Sequence, residues 1–306
     1  MIDKVCISVN AQCNLACKYC HFYNNESLAN MEYAQGFSKK ELSIILGNIL
    51  YYADKNQVPK FTIGFAGGGE PLLSWNIISS TLDDIYDKDD NKRLYFYIIT
   101  NGILLDYNFL QQYKKFSSFV NLVVSLDGDT KTHDVNRIDK KYQATHQKIM
   151  DNIKGYYITF NKMPNINLSV GKMAYGRKKI ILDFLIRNGF DSITFTKLFH
   201  CNDKTQEITN EQFYEFINYF KSHNLTIRNI ESIKNNKIDC IYYGNKCGVG
   251  INNIFYFDKK IYPCMRFIER QNGHIGTFDE DLSILESKMQ KLLKPVYTKE
   301  CYYEKY

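Results

Sequence analysis

A chain of 306 residues, 44% of them hydrophobic, is long enough for one large domain of about 200 to 250 residues and a small appendage. Its formal charge of +6 comes from scattered Lys and Arg without a basic stripe, so no nucleic-acid partner is expected; with neither a signal-peptide pattern nor an apolar run of about 18 residues, a cytoplasmic location away from membranes is expected. Nine cysteines in that reducing compartment point to metal binding or catalysis before disulfides.

The first β-branched run, residues 5–9, leads directly into Cys13-Asn14-Leu15-Ala16-Cys17-Lys18-Tyr19-Cys20. Three thiolates spaced this way on one loop can wrap three corners of a 4Fe-4S cubane and leave the fourth iron open to a small molecule. Taken alone, the spacing also suits a three-thiolate zinc site. Cys6, inside the run, reads as a core thiol. Ser38 to Glu41 form a capping box that should open a helix reaching residue 55.

The second run, 61–65, leads into Gly67-Gly68-Gly69-Glu70-Pro71, which is either a plain turn or a loop whose missing Cβ atoms let the backbone come close to a bound group, with Glu70 reinforcing that contact or bracing the loop. A helix over 74–86 follows. The third run, 94–99, ends at Thr100-Asn101-Gly102 and precedes a helix over 106–116. The fourth, 120–126, closes on Ser125-Leu126-Asp127-Gly128, with Arg137 just downstream and a helix over 142–157. The fifth, 166–170, is followed by Lys172, which reads by default as solvated, and a helix over 177–188. The sixth, 193–198, is followed by Cys201, which reads by default as a buried thiol and otherwise as a hydrogen-atom donor or acid, and by a second capping box, Thr209 to Gln212, opening a helix to 223.

Six strand-helix units give either an open doubly wound sheet or a curved partial barrel. The unusual residues follow the C-terminal ends of separate strands, where barrels keep their chemistry, and this favours an α/β partial (β/α)6 barrel. From residue 224 the pattern changes to short strands, turns and cysteines, so the core is expected over 1–223 and a small C-terminal domain over 224–306. Cys240, Cys247, Cys264 and Cys301 lie there, with a hairpin expected between Asn253 and Cys264.

The cysteine loop, with aromatic Tyr19 before its third cysteine, resembles the CxxxCxxC hallmark of the radical S-adenosylmethionine (SAM) superfamily. That resemblance implies a 4Fe-4S cluster on Cys13, Cys17 and Cys20, with SAM cleaved reductively to methionine and a 5′-deoxyadenosyl radical. It also implies that Gly68, Gly69 and Glu70 meet the SAM amino group, that Ser125, Asp127 and Arg137 serve the ribose hydroxyls and the methionine carboxylate, and that Asn101 lies near the SAM or substrate pocket. The C-terminal cysteines and the Tyr262-Pro263-Cys264 run resemble a SPASM or twitch domain, which implies one auxiliary 4Fe-4S cluster on Cys240, Cys247, Cys264 and Cys301. Zinc and plain buried thiols stay open as alternatives for that set. Two departures stand out: Lys259 replaces the usual hairpin glycine, and the later CxxC block of a complete SPASM domain is absent. The implied activity is modification of a ribosomally synthesised peptide or protein side chain, with electrons from a donor such as flavodoxin or ferredoxin. A dehydrogenase of a small molecule such as an aminosugar alcohol is the second reading; a non-catalytic iron-sulfur carrier or structural zinc protein is the third. Because the first strand starts at once, no leader-binding domain is expected ahead of the barrel.

Overall fold

Each long strand alternates between a buried face and a half-buried one. In β1 (Lys4–Ile7) Val5 and Ile7 are buried while Cys6 is not; β2 (Phe61–Phe65), β3 (Leu94–Thr100), β4 (Val120–Ser125), β5 (Asn165–Val170) and β6 (Ser192–Lys197) follow with parallel pairing from each to the next. The buried face, with Ile63, Phe65, Ile98, Val124, Leu168 and Phe195 among its members, packs under the helices as one core. The computed structural model describes residues 1–23, 34–199, 203–221, 223, 225–293 and 300–305.

The helices start where their caps allow. Ser38 and Glu41 form the reciprocal capping box ahead of the helix Lys39–Lys55. Thr209 and Gln212 do the same before Asn210–Lys221, each backbone amide donating to the other's side chain at 2.9 and 3.2 Å. The helix expected from 142 begins instead at His146, because Asp134 Oδ1 accepts from the amides of both Thr145 and His146 and caps it from outside. The segment ahead of it forms a turn with an isolated bridge between Ile138 and Ala144, in which Tyr142 has φ 61°. The helix expected over 106–116 tightens to 3-10 geometry at Lys114–Phe116.

Beyond β6 come β7 (Thr226–Ile227), β8 (Ile238–Asp239), β9 (Lys246–Cys247), β10 (Asn253–Phe257), β11 (Lys260–Tyr262) and β12 (Gly276–Thr277). The expected hairpin is β10–β11, and it joins the main sheet: β10 pairs parallel with β1, so the sheet runs β12-β11-β10-β1-β2-β3-β4-β5-β6-β7 with open ends. A flat sheet would set β1 and β6 about 24 Å apart, at about 4.8 Å per strand. Yet Cys6, Tyr97, Val123, Asn167 and Thr194 line one cavity of about 430 Å³, so the sheet curls into a partial barrel around it.

Candidate functional site

The cysteine loop is held in antiparallel contact with the segment carrying Arg137. Ala16 and Lys18 amides donate to the carbonyls of Ile138 and Asn136 at 2.8 and 2.9 Å, and Leu15 bridges to Asp139. This places Arg137 beside the thiols. Cys13, Cys17 and Cys20 act on one another electrostatically, and the Arg137 charge reaches Cys17 and Cys20. Burial pushes the Cys13 thiol up to about 11 and that of Cys17 up to about 12, against the pull of the Leu15 amide on the first and of Arg137 on the second. The amides of Phe22 and Tyr23 donate to Cys20. The N–H donors preset at these sulfurs suit an iron-sulfur group, whose binding would displace the thiol protons.

The Gly-rich loop is stitched to the cysteine loop by residues that sequence patterning passed over. Asn10 Nδ2 donates to the Glu70 carbonyl at 3.0 Å and to Ser74 Oγ at 2.8 Å, its Oδ1 accepts from Gln12 N, and Glu70 N donates to the Gln12 carbonyl at 2.7 Å. Ser8 Oγ accepts from Gly68 N at 2.9 Å. The close approach explains a glycine: a Cβ on Gly69 would stand 2.4 Å from Asn10 Oδ1 and 2.5 Å from the Gln12 carbonyl oxygen. Short polar residues before a cysteine loop carry no periodic signal, so Ser8, Asn10 and Gln12 were invisible to pattern.

Of the two roles open to Glu70, the structure gives it bracing. Its buried carboxylate accepts from Leu72 N at 3.1 Å, Thr100 Oγ1 at 2.7 Å and Asn101 N at 2.8 Å, while burial pushes its pKa up. Asn101 in turn donates to Asn14 Oδ1 at 2.7 Å and lies 3.8 Å from Cys13 Sγ. Its amide links the third-strand exit to the cysteine loop.

Asp127 has internal partners as well as a place on the cavity wall. Its Oδ2 accepts from Arg137 Nε at 3.0 Å and from the Tyr19 hydroxyl, and its Oδ1 accepts from Ser169 N at 2.9 Å, so the carboxylate is committed within the protein. The physical reason is burial: a carboxylate 2% exposed needs partners. Tyr19 therefore braces through its hydroxyl, and burial pushes that phenol well up. Arg137 also lies over the Tyr19 ring at 5.4 Å. Burial opposes its charge, but Asp127, Tyr19 and Cys17 together push its pKa up. One terminal nitrogen of Arg137 reaches Ser169 Oγ at 3.4 Å. Ser125 ends β4, buried and paired with Asn167. Asp127, Ser169 and Lys172 border a cavity of about 460 Å³. Cys201 lies outside the described residues.

Cys240, Cys247, Cys264 and Cys301 all line the 430 Å³ cavity, as does Cys6, whose thiol also lies 3.5 Å from the Ala66 carbonyl. Cys247, Cys264 and Cys301 act on one another electrostatically. No group of three or more His, Cys, Asp or Glu side chains among the described residues is arranged to hold a metal ion, so what each set of thiols shares is a neighbourhood. The two neighbourhoods are tied together: His21, next to Cys20, pairs with Glu269 at 2.9 Å, and Glu269 accepts from the Tyr303 hydroxyl at 2.8 Å, two residues beyond Cys301. No described helix is long and apolar enough to cross a membrane.

Residues 7–158 match the family model of the Radical SAM superfamily. Over 233 residues the chain is 26% identical to an uncharacterized protein of Methanocaldococcus jannaschii, covering 74% of this chain and 73% of that one. Over 167 residues it is 25% identical to a cysteine-type anaerobic sulfatase-maturating enzyme of Clostridium novyi, covering 53% of this chain and less than half, 43%, of the relative's length. Among solved structures, anSMEcpe with bound AdoMet and a peptide superposes with a TM-score of 0.72 at 17% identity, covering 94% of this chain and 81% of that one. At that identity the likeness is one of fold.

Proposed function

The chain belongs to the radical SAM superfamily through residues 7–158, and we propose that it modifies a peptide or protein side chain by hydrogen abstraction. Cys13, Cys17 and Cys20 would hold the first 4Fe-4S cluster. Once bound, that cluster supplies the electron that splits SAM into methionine and a 5′-deoxyadenosyl radical. The observation that carries this reading is the docking of the three-thiol loop on the Arg137 segment on one side and on the Gly-rich loop on the other.

The chain's own groups then have distinct tasks. Carbonyls around Gly68 and Gly69 accept from the SAM ammonium, with Glu70 and Asn10 fixing the loop that presents them. Arg137 offers the SAM carboxylate its second terminal nitrogen, while Asp127 and Tyr19 hold its guanidinium in place. Ser125 and the cavity beside Ser169 receive the nucleoside. Residues 224–306 form an appendage whose Cys240, Cys247, Cys264 and Cys301 hold a second 4Fe-4S cluster, and a ferredoxin or flavodoxin delivers electrons. The substrate class is supported by the Clostridium novyi relative, a sulfatase-maturating enzyme, and by the peptide bound in the fold neighbour.

Reduced, anaerobically reconstituted protein should convert SAM to 5′-deoxyadenosine and methionine, and replacing Cys13, Cys17 and Cys20 together with Ala should abolish this. Undiminished cleavage in that triple variant overturns the assignment.

A further inference from the structure

The residue after next from Cys264 is an arginine buried to 3% exposure, Arg266, on the 3-10 turn Met265–Glu269. Its Nη1 donates to Cys301 Sγ at 3.1 Å, to the Tyr242 hydroxyl at 2.7 Å and to Glu304 Oε1 at 3.0 Å. The guanidinium centre lies 4.5 Å from the Tyr303 ring, 5.4 Å from Tyr242 and 5.5 Å from Phe199, so it is boxed by aromatic rings. Glu304, its carboxylate partner, is half exposed, at 51%. A surface ion pair would not need this burial. The charge is instead placed at the cysteine cavity that Arg266 itself lines.

We propose that Arg266 is a positioning residue that raises the reduction potential of the C-terminal iron-sulfur centre, acting as a fixed counter-charge and hydrogen-bond donor to its thiolates; this rests on the reading of Cys240, Cys247, Cys264 and Cys301 given above. The chemistry is direct. Taking up one electron makes the centre more negative, and a buried cation with an N–H aimed at a ligand sulfur favours the more negative state. Because Arg266 also contacts Glu304, that carboxylate partly cancels the effect. The two residues should therefore move the potential in opposite directions.

The test uses the full chain with Cys13, Cys17 and Cys20 replaced by Ala, so that only the C-terminal centre takes an electron from dithionite. It is reconstituted anaerobically and titrated by EPR. Arg266→Met should lower the midpoint, Arg266→Lys should lower it less, and Glu304→Gln should raise it, all at equal iron content. Midpoints that stay put in Arg266→Met and Glu304→Gln with iron retained overturn the proposal. If Arg266→Met holds no iron, Glu304→Gln decides alone: an upward shift supports the proposal and an unmoved midpoint overturns it. A parent that takes up no iron at the C-terminal cysteines overturns the underlying reading of those four residues, an outcome distinct from an unmoved potential.

Discussion

Arg137 Nε stands 3.0 Å from Asp127 Oδ2, both side chains being under a tenth exposed, and the pair is locked on either side by Tyr19 and Ser169. Removing one partner of such a pair leaves a buried charge uncompensated, which typically costs about 3 to 5 kcal/mol. Arg137→Ala should lose stability in that range in urea unfolding of the metal-free chain. Adding Asp127→Asn should recover part of the loss, since the orphaned charge is then gone. Simple additivity of the two changes would mean that the pair is not coupled.

His133 carries a pH dependence of defined sign. It is fully buried, its Nδ1 accepts from Asp127 N at 3.3 Å and its Nε2 faces Thr145 Oγ1 at 3.1 Å. Burial, then the charges of Arg137 and His146, hold it down at about 2, against an ordinary value of 6.5. The unfolded chain therefore binds a proton that the folded chain refuses. Stability from this group is complete above pH 6.5 and falls as the pH drops toward 2, by at most about 1.4 kcal/mol per pH unit. Urea midpoints of wild type between pH 7 and 5 should slope more steeply than those of His133→Gln.

Gly69 and Gly47 make a matched pair. A methyl at Gly69 meets Asn10 and the Gln12 carbonyl inside 2.6 Å, whereas one at Gly47, in the helix Lys39–Lys55, meets nothing within 4 Å. Gly69→Ala should cost about 1 to 3 kcal/mol and reduce iron retention. Gly47→Ala should add about 0.4 to 1 kcal/mol. Calorimetric Tm and iron content after desalting check both.

The turn Asp258-Lys259 is left-handed at both residues, with φ 47° and 61°, as two-residue hairpins require. Lysine is tolerated there because its Nζ donates to the Gly36 carbonyl at 2.6 Å and pairs with Glu41, the capping-box carboxylate. That contact, foremost, holds the Glu41 carboxyl at about 2. Lys259→Ala keeps the left-handed strain and loses the partners, so it should be less stable than Lys259→Gly by about 1 kcal/mol. In either variant the Glu41 carboxyl should titrate higher by NMR.

Two cubanes predict about eight irons per reconstituted chain and about half that in the Cys13, Cys17 and Cys20 triple variant. Loss of the remaining iron on replacing Cys247 and Cys264 would assign it to the cavity they line. Zinc after anaerobic expression would make that site structural.

The strands and caps were legible because their signals are local. Phe61–Phe65 falls where its alternation put it, and both capping boxes close as read. The motifs also arrive together, since parallel strands deliver their exits to one end of the sheet. What pattern could not supply were partners far apart in sequence. Nothing in the local pattern foretells the bonds of Asp127 to Arg137, Tyr19 and Ser169. Likewise the pattern leaves Glu70 two roles until Thr100 and Asn101 are seen to bond it, and nothing near Arg266 foretells Cys301 or Glu304.

The pairing of β1 with β10 sets Lys4 opposite Asn253, 249 residues apart in the chain. On the ribosome, at about 5 to 20 residues per second, the outer edge of β1 waits roughly 12 to 50 s for its partner. Until then Lys4–Ile7 is an open sheet edge beside the cysteine loop, and an open edge invites pairing with other chains. Lys4 is the one charge on that edge. A strand made late in synthesis therefore completes the first one's neighbourhood, and slowed synthesis through residues 61–253 should raise the aggregated fraction more than slowing anywhere after β10 is made.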